Sequence, residues 1–193
     1  RFPVISKTAV FLSELPSNIK NIFQNDLEAI EQRFQSLSGF QGQPMMDEAY
    51  LLLSKYDGNR NQSIVELIDL KSFEVLKEWS PDFKQLNQAV DTSIPEFENY
   101  LEVHNPLRHQ IMHPLLTEDG GLIFHGNFTP LFKVDTNSQL VWHNQKDAFH
   151  HSLEFDHEGN IWTGSEMFPF QVNSQYVGSS LGSFRDGAIT KIS

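Results

Sequence analysis

Eight histidines, His104, His109, His113, His125, His143, His150, His151 and His157, stand in a chain of 193 residues, and all of them fall between positions 104 and 157. Neutral imidazole can serve as nucleophile, general base, metal ligand or hydrogen-bond donor, so this half of the chain is where chemistry is expected. Two of the eight occupy matching places in a repeat. The stretch 149–162, FHHSLEFDHEGNIW, reads as a strand, a polar turn over His157, Glu158, Gly159 and Asn160, and a second strand from Ile161. The stretch 113–126, HPLLTEDGGLIFHG, has the same grammar. His113 aligns with His151, Leu115 with Leu153, Gly121 with Gly159, Ile123 with Ile161, Phe124 with Trp162 and Gly126 with Gly164. His150 and His151 are successive residues of one strand, whose side chains alternate, so only one can face a common site and the repeat favours His151. His151, His113 and His150 are therefore the candidate catalytic residues.

The elements that must position them change character along the chain. From Ser17 or Asn18 a helix is expected, with Ile19, Ile22, Phe23, Leu27, Ile30 and Phe34 at helical spacing, closed by Gly39, Gly42 and Pro44. After Pro44 the period becomes that of strands: Ala49 to Lys55, Ser63 to Leu70 and Phe73 to Trp79. Residues 80–108 carry Pro81, Pro95 and Pro106, with a helix expected over Phe83 to Val90; a connection this long often lies over a site. Strands resume at Leu115 to Thr117, Leu122 to His125, Pro130 to Asp135 and Gln139 to His143. The second copy runs from His150 to Gly164, loops out over Gln171 to Asp186 and returns at Gly187 to Ser193, where Ala188 to Ile192 echoes Pro130 to Val134.

Four short antiparallel strands per unit of roughly 40 to 50 residues is the pattern of a propeller blade. The expected fold is thus all-β: a lead-in with a helix over residues 1–44, then a partial β-propeller over 45–193. About three blades are visible, fewer than a closed ring needs, and the chain starts at Arg1 and stops at Ser193 within an apparent strand, so it reads as a fragment of a longer protein. In the first unit the position matching His113 is Gln41, so the histidine is not demanded by the blade itself. In a propeller the inner strands line one channel, and equivalent histidines of consecutive blades point toward it.

Composition narrows the partners. With 14 basic and 25 acidic residues the formal charge is −11, without a basic cluster, which argues against nucleic acid. There is no cysteine, hence no disulfide or thiolate chemistry, and the compartment stays open. No apolar run approaches the roughly 18 residues of a membrane helix. No Gly-rich phosphate loop is present.

The run PLFKVDTNSQLVWHNQKDAFHHSLEFDHEGNIW, 130–162, resembles the bacterial arylsulfotransferase family, in which a blade carries an aspartate turn and tryptophan strand pair followed by paired histidines, a carboxylate-rich turn and Gly-Asn. The likeness extends more loosely over 113–126 and fades before residue 100. It implies a six-bladed propeller that moves a sulfuryl group from an aryl sulfate to a phenol through a sulfated histidine, with no nucleotide or other cofactor. It also implies that His113 and His151 are channel histidines, and that the protein is exported to the periplasm or cell surface. Arg108 and Arg185 are the arginines near the repeats, and neither matches a family motif. Three alternatives come from other classes: a propeller lyase of the virginiamycin-inactivating type using Glu154 or Glu166, a metal site of His113, His151 and Asp156, or a propeller that only binds a partner or a sugar. Trp162, Phe149 and Phe124 suit an aryl-binding wall, but side chains of this kind more often fill the space between sheets.

Overall fold

A computed structural model describes residues 39–40, 42–105, 107–166 and 187–193. The helix expected from Ser17, the Gln171 to Asp186 loop and Arg185 lie outside the described residues. The chain divides into compact units at 1–43 and 44–193, and all the strands named below belong to the second. The described residues of that unit are mostly β-sheet with two short α-helices. Among the described residues no helix is long and apolar enough to cross a membrane.

Strands β1 (Tyr50–Asp57), β2 (Gln62–Asp69) and β3 (Val75–Trp79) form a three-stranded antiparallel sheet. A second, curled sheet has six antiparallel strands paired in chain order: β4 (Met112–Leu116), β5 (Leu122–His125), β6 (Thr129–Val134), β7 (Leu140–Phe155), β8 (Ile161–Glu166) and β9 (Gly187–Ile192). Ala188 to Ile192 thus pairs beside β8 as Pro130 to Val134 pairs beside β5. The hydrogen bonding does not divide the described chain into separate four-stranded units.

The reason is β7. Two strands, one ending at His143 and another beginning near Phe149, are expected from the sequence; instead one strand of 16 residues runs through both. No Gly or Pro interrupts 140–155. Its first part pairs with β6, from Val134↔Leu140 to Thr129↔Phe149, and its second part with β8, from Ala148↔Glu166 to Phe155↔Ile161. Backbone groups that β6 no longer reaches are taken up by β8, so the strand need not break.

Alternation of side chains on β5 and β6 feeds two cores. Leu122, Phe124, Phe132 and Val134 join Val65 and Trp79 on one face; Ile123 and Leu131 join Phe149, Leu153 and Ile161 on the other. Phe124 and Phe149 are therefore core, whereas Trp162 is exposed, donating from Nε1 to Asp156 Oδ2 at 3.0 Å. The connection after β3 is not a surface excursion. It folds into α1 (Phe83–Ala89), a 3-10 turn (Pro95–Phe97) and α2 (Tyr100–Val103), and it delivers Phe83, Leu86, Val90, Phe97 and Tyr100 to the first core. Asp82 caps α1, its Oδ1 accepting from Lys84 N at 2.9 Å and Gln85 N at 3.2 Å. Ser80 N–H donates to Ser138 Oγ at 2.8 Å and Trp79 Nε1–H to the Gly120 carbonyl at 3.2 Å, tying the two sheets together.

Three hairpins of the larger sheet use one turn. In 117–121, 135–139 and 156–160 the first residue's N–H bonds the fifth residue's carbonyl at 2.9 to 3.0 Å, and the fourth residue's N–H bonds the first carbonyl at 2.9 to 3.0 Å. The fourth residue is left-handed: Gly120 at φ 76°, Ser138 at 65° and Gly159 at 82°. This is a type I turn followed by a bulge, which a first-position aspartate reinforces in Asp135 and Asp156 by accepting from backbone N–H groups two and four residues on. The equivalence corrects the repeat alignment by one residue. Gly120, not Gly121, is the counterpart of Gly159, and Leu115↔Ile123 corresponds to Glu154↔Trp162. The second copy holds one additional residue between its bulge and its turn.

Candidate functional site

His113 and His151 share a backbone state that strands rarely tolerate. Their φ angles are 43° and 66°, in the left-handed region, and each sits where the strand register shifts, between Met112 and Leu115 on β4 and between His150 and Leu153 on β7. Left-handed backbone costs a non-glycine residue on the order of 1 kcal/mol or more and persists only where the surroundings impose it. A bulge re-aims the side chain it carries, and both copies of the repeat use one to turn a histidine out of strand alternation. The bulge also overturns the expectation that His150 and His151 face opposite ways. Their ring centroids are 4.5 Å apart in an edge-to-face contact, so the two imidazoles share one side of β7.

His125, the last residue of β5, is the group that sequence spacing missed. It pairs with Met112 and is fully buried, its Nδ1 2.6 Å from the Gly126 carbonyl and its Nε2 without a hydrogen-bond partner. Burial pushes its pKa down to about 4, with added repulsion from His113, His150 and His151 as protonated neighbours and an opposing pull from the Gly126 carbonyl. His113 follows Met112, the pairing partner of His125, and His150 touches His151; the repulsion that His125 feels from the other three links these two pairs. The two copies build the cluster differently. In the first, the central strand supplies His125; in the second, the equivalent position is Gly164, and the His150 ring occupies the space, 3.2 Å from where a Gly164 Cβ would lie. His150 is lowered from its ordinary value by burial and by His151, against Glu166 and the Ser165 backbone, and its ring stands 5.0 Å from that of Phe128. His113 and His151 are exposed. This set can bind an anion with imidazole N–H groups, or attack an electrophile from a free ring nitrogen.

Two further histidines lead from this cluster into the first core. His109 is 0 % exposed, its ring 4.4 Å from Phe83 and 5.9 Å from His104, and neither ring nitrogen has a hydrogen-bond partner. Burial, then His104 and His125, press its pKa down to about 3, so it is neutral. His104 lies 4.8 Å from Tyr100 and is also lowered by burial. The remaining two stand apart: His143 Nε2 is 3.1 Å from Gln145 Oε1, and His157 projects from its turn into solvent.

Beside the cluster opens a cleft of about 280 Å³ whose walls include Glu96, Phe97, Tyr100, His104, Phe128 and Glu166. The 3-10 turn and α2 form one side, and β7 with the end of β8 the other. Glu96 Oε1 accepts from Ala148 N–H at 3.0 Å, which anchors the turn to β7. Desolvation raises the Glu96 pKa, opposed by that bond and assisted by Asp147 and Glu166. Of the carboxylates considered from sequence, Glu166 is buried in this cleft, whereas Glu154 is exposed on β7. Asp156 is committed to its turn: Trp162, Asn160 and Lys191 hold its carboxyl well below the usual range. Among the described residues no three His, Asp or Glu side chains are grouped to hold a metal ion. Arg108 is exposed in the turn at Asn105.

Compared with models of protein families, with curated proteins and with solved structures, the chain matches none of them.

Proposed function

We propose that this chain is part of a β-propeller enzyme that transfers a sulfuryl group from an aryl sulfate to a phenol through a histidine of the four-imidazole cluster. The observation that carries the reading is the matched strain at His113 and His151. Two repeats that differ on the neighbouring strand, His125 on β5 against Gly164 on β8, both hold a histidine left-handed at a bulge, and strain of this kind collects at functional sites. In the first half-reaction an imidazole nitrogen forms a bond to sulfur as the aryl C–O–S ester loses its phenolate. In the second, the phenol oxygen forms its bond to sulfur as the N–S bond breaks, and the phenol proton leaves. The other imidazoles, as N–H donors, stabilise charge on the nonbridging oxygens. Burial lowers His125 and His150 below their ordinary values, which favours the neutral ring, whose unprotonated nitrogen is the nucleophile and whose other nitrogen stays an N–H donor.

The test is transfer from 4-nitrophenyl sulfate to a phenol by the full-length protein, beside folded His151→Ala and His113→Ala variants. Loss of at least roughly 100-fold in both is expected. A folded wild type that releases no nitrophenol from several aryl sulfates would sink the proposal. A lyase is the second reading, favoured by the buried Glu166 beside His150. Elimination products formed without a sulfuryl acceptor would select it.

A further inference from the structure

The cleft beside the cluster has features that the nucleophile alone does not use. It is walled by aromatic rings, Phe97, Tyr100 and Phe128, and has one carboxylate fixed in place, Glu96. Its volume of about 280 Å³ suits a single aromatic ring rather than a large ligand. Phe128 joins cleft and cluster, since it lines the first and its ring lies 5.0 Å from that of His150 in the second. An aromatic ring lying against Phe128 would therefore present its substituent toward the imidazoles.

We infer that this cleft is the acceptor subsite, taking a phenol or other aromatic hydroxyl compound, and that Glu96 is the general base that removes the acceptor's proton. The inference rests on the transferase reading. As the acceptor oxygen bonds to sulfur and the N–S bond of the sulfated histidine breaks, the O–H proton passes to the Glu96 carboxylate and the bonding pair returns to the imidazole nitrogen. Oε1 of Glu96 is held by Ala148 N–H, while among the described residues no hydrogen bond engages Oε2. Burial makes this carboxylate a stronger base than an exposed one, with Asp147 on β7 and Glu166 on β8 adding to the effect and Glu98 and His104 facing the same space.

The two half-reactions separate this assignment from the reading beneath it. Release of 4-nitrophenol in a burst reports sulfation of the enzyme, and its good leaving group needs little help from an acid. Glu96→Gln, whose amide oxygen can still accept from Ala148 N–H, is expected to keep the burst within about twofold. The same variant is expected to lower acceptor-dependent turnover roughly 100-fold or more and to erase the rise of that turnover with pH. Val103→Trp, at a 55 % exposed position on the cleft rim, leaves the carboxylate in place and is expected to raise the acceptor KM with the burst intact. Acceptor turnover with an unchanged pH profile in Glu96→Gln, or a burst lost together with it, would overturn the assignment. Absence of any burst in the wild type would remove the transferase reading and this inference with it.

Discussion

Acid should unfold this protein through its buried histidines, and the size of the effect follows from their environment. His109 and His125 are fully buried and have folded-state pKa values of about 3 and about 4, against 6.5 when free. Between those limits the unfolded chain binds a proton that the folded one refuses, so stability is complete above pH 6.5 and falls as pH drops toward the folded values. At pH 5, still above both folded values, each histidine has cost about 2 kcal/mol relative to pH 7.5, whatever the depth of its shift beyond that point. Two such groups remove about 4 kcal/mol, a large part of the 5 to 15 kcal/mol that typically holds a domain together. Glu96 and Asp147, raised by burial, bind protons more readily in the folded state and work in the opposite direction. A variant comparison cancels them. His109→Leu conserves volume between Phe83 and Phe132, removes two unpartnered ring nitrogens and is expected to lie within about 1.5 kcal/mol of wild type at pH 7.5. On moving to pH 5 it should lose about 2 kcal/mol less than wild type. Urea unfolding followed through the fluorescence of the buried Trp79 measures both midpoints. Equal losses in the two proteins, or a wild type whose stability is flat from pH 7.5 to 5, would refute the reasoning.

Two substitutions probe other features. His151→Gly relieves the left-handed backbone at φ 66°; thermal unfolding should show it equal to wild type or more stable by up to about 1 kcal/mol, while sulfuryl transfer is lost, and a destabilised but active variant would contradict the link between strain and function. Gly121→Ala places a Cβ far inside contact distance of the Val134 carbonyl oxygen, backbone that cannot swing aside, so a loss of about 2 to 4 kcal/mol in chemical denaturation is expected, and a neutral result would mean that β5 and β6 are not this close.

Much of the fold was written locally in the chain. The alternation of SIVELIDL and the Asp and Gly residues of the turns fix strands and hairpins through short-range geometry, and the structure places β2 and the 156–160 turn where those signals stand. The helix expected over Phe83 to Val90 is present as Phe83–Ala89, and its cap at Asp82 was not read from the sequence. What escaped depends on partners distant in sequence. Nothing in LVWHNQKDAFHHSLEF says that β6 and β8 will share one strand, because alternation is the same whether a strand pairs on one side throughout or changes sides midway. The bulges at His113 and His151 disturb alternation by a residue, and that same residue misplaced the glycine in the repeat alignment. Repeat spacing brought out His113 and His151 but not His125, whose counterpart is a glycine; the signal available was its position at the end of an entirely buried strand, where a polar side chain is rare.

Strand β7 also bears on how the protein comes to be folded. Each strand of the larger sheet pairs with the next in the chain, so most of its closures span short loops and can form quickly, in the order in which the residues leave the ribosome. β7 breaks that simple zippering, because its early residues find their partner in β6 already made, while its late residues must wait for β8. Until β8 arrives, the segment bearing His150 and His151 presents an unpaired edge, and that pause is where a nascent chain would be most open to a chaperone or to pairing with a neighbour.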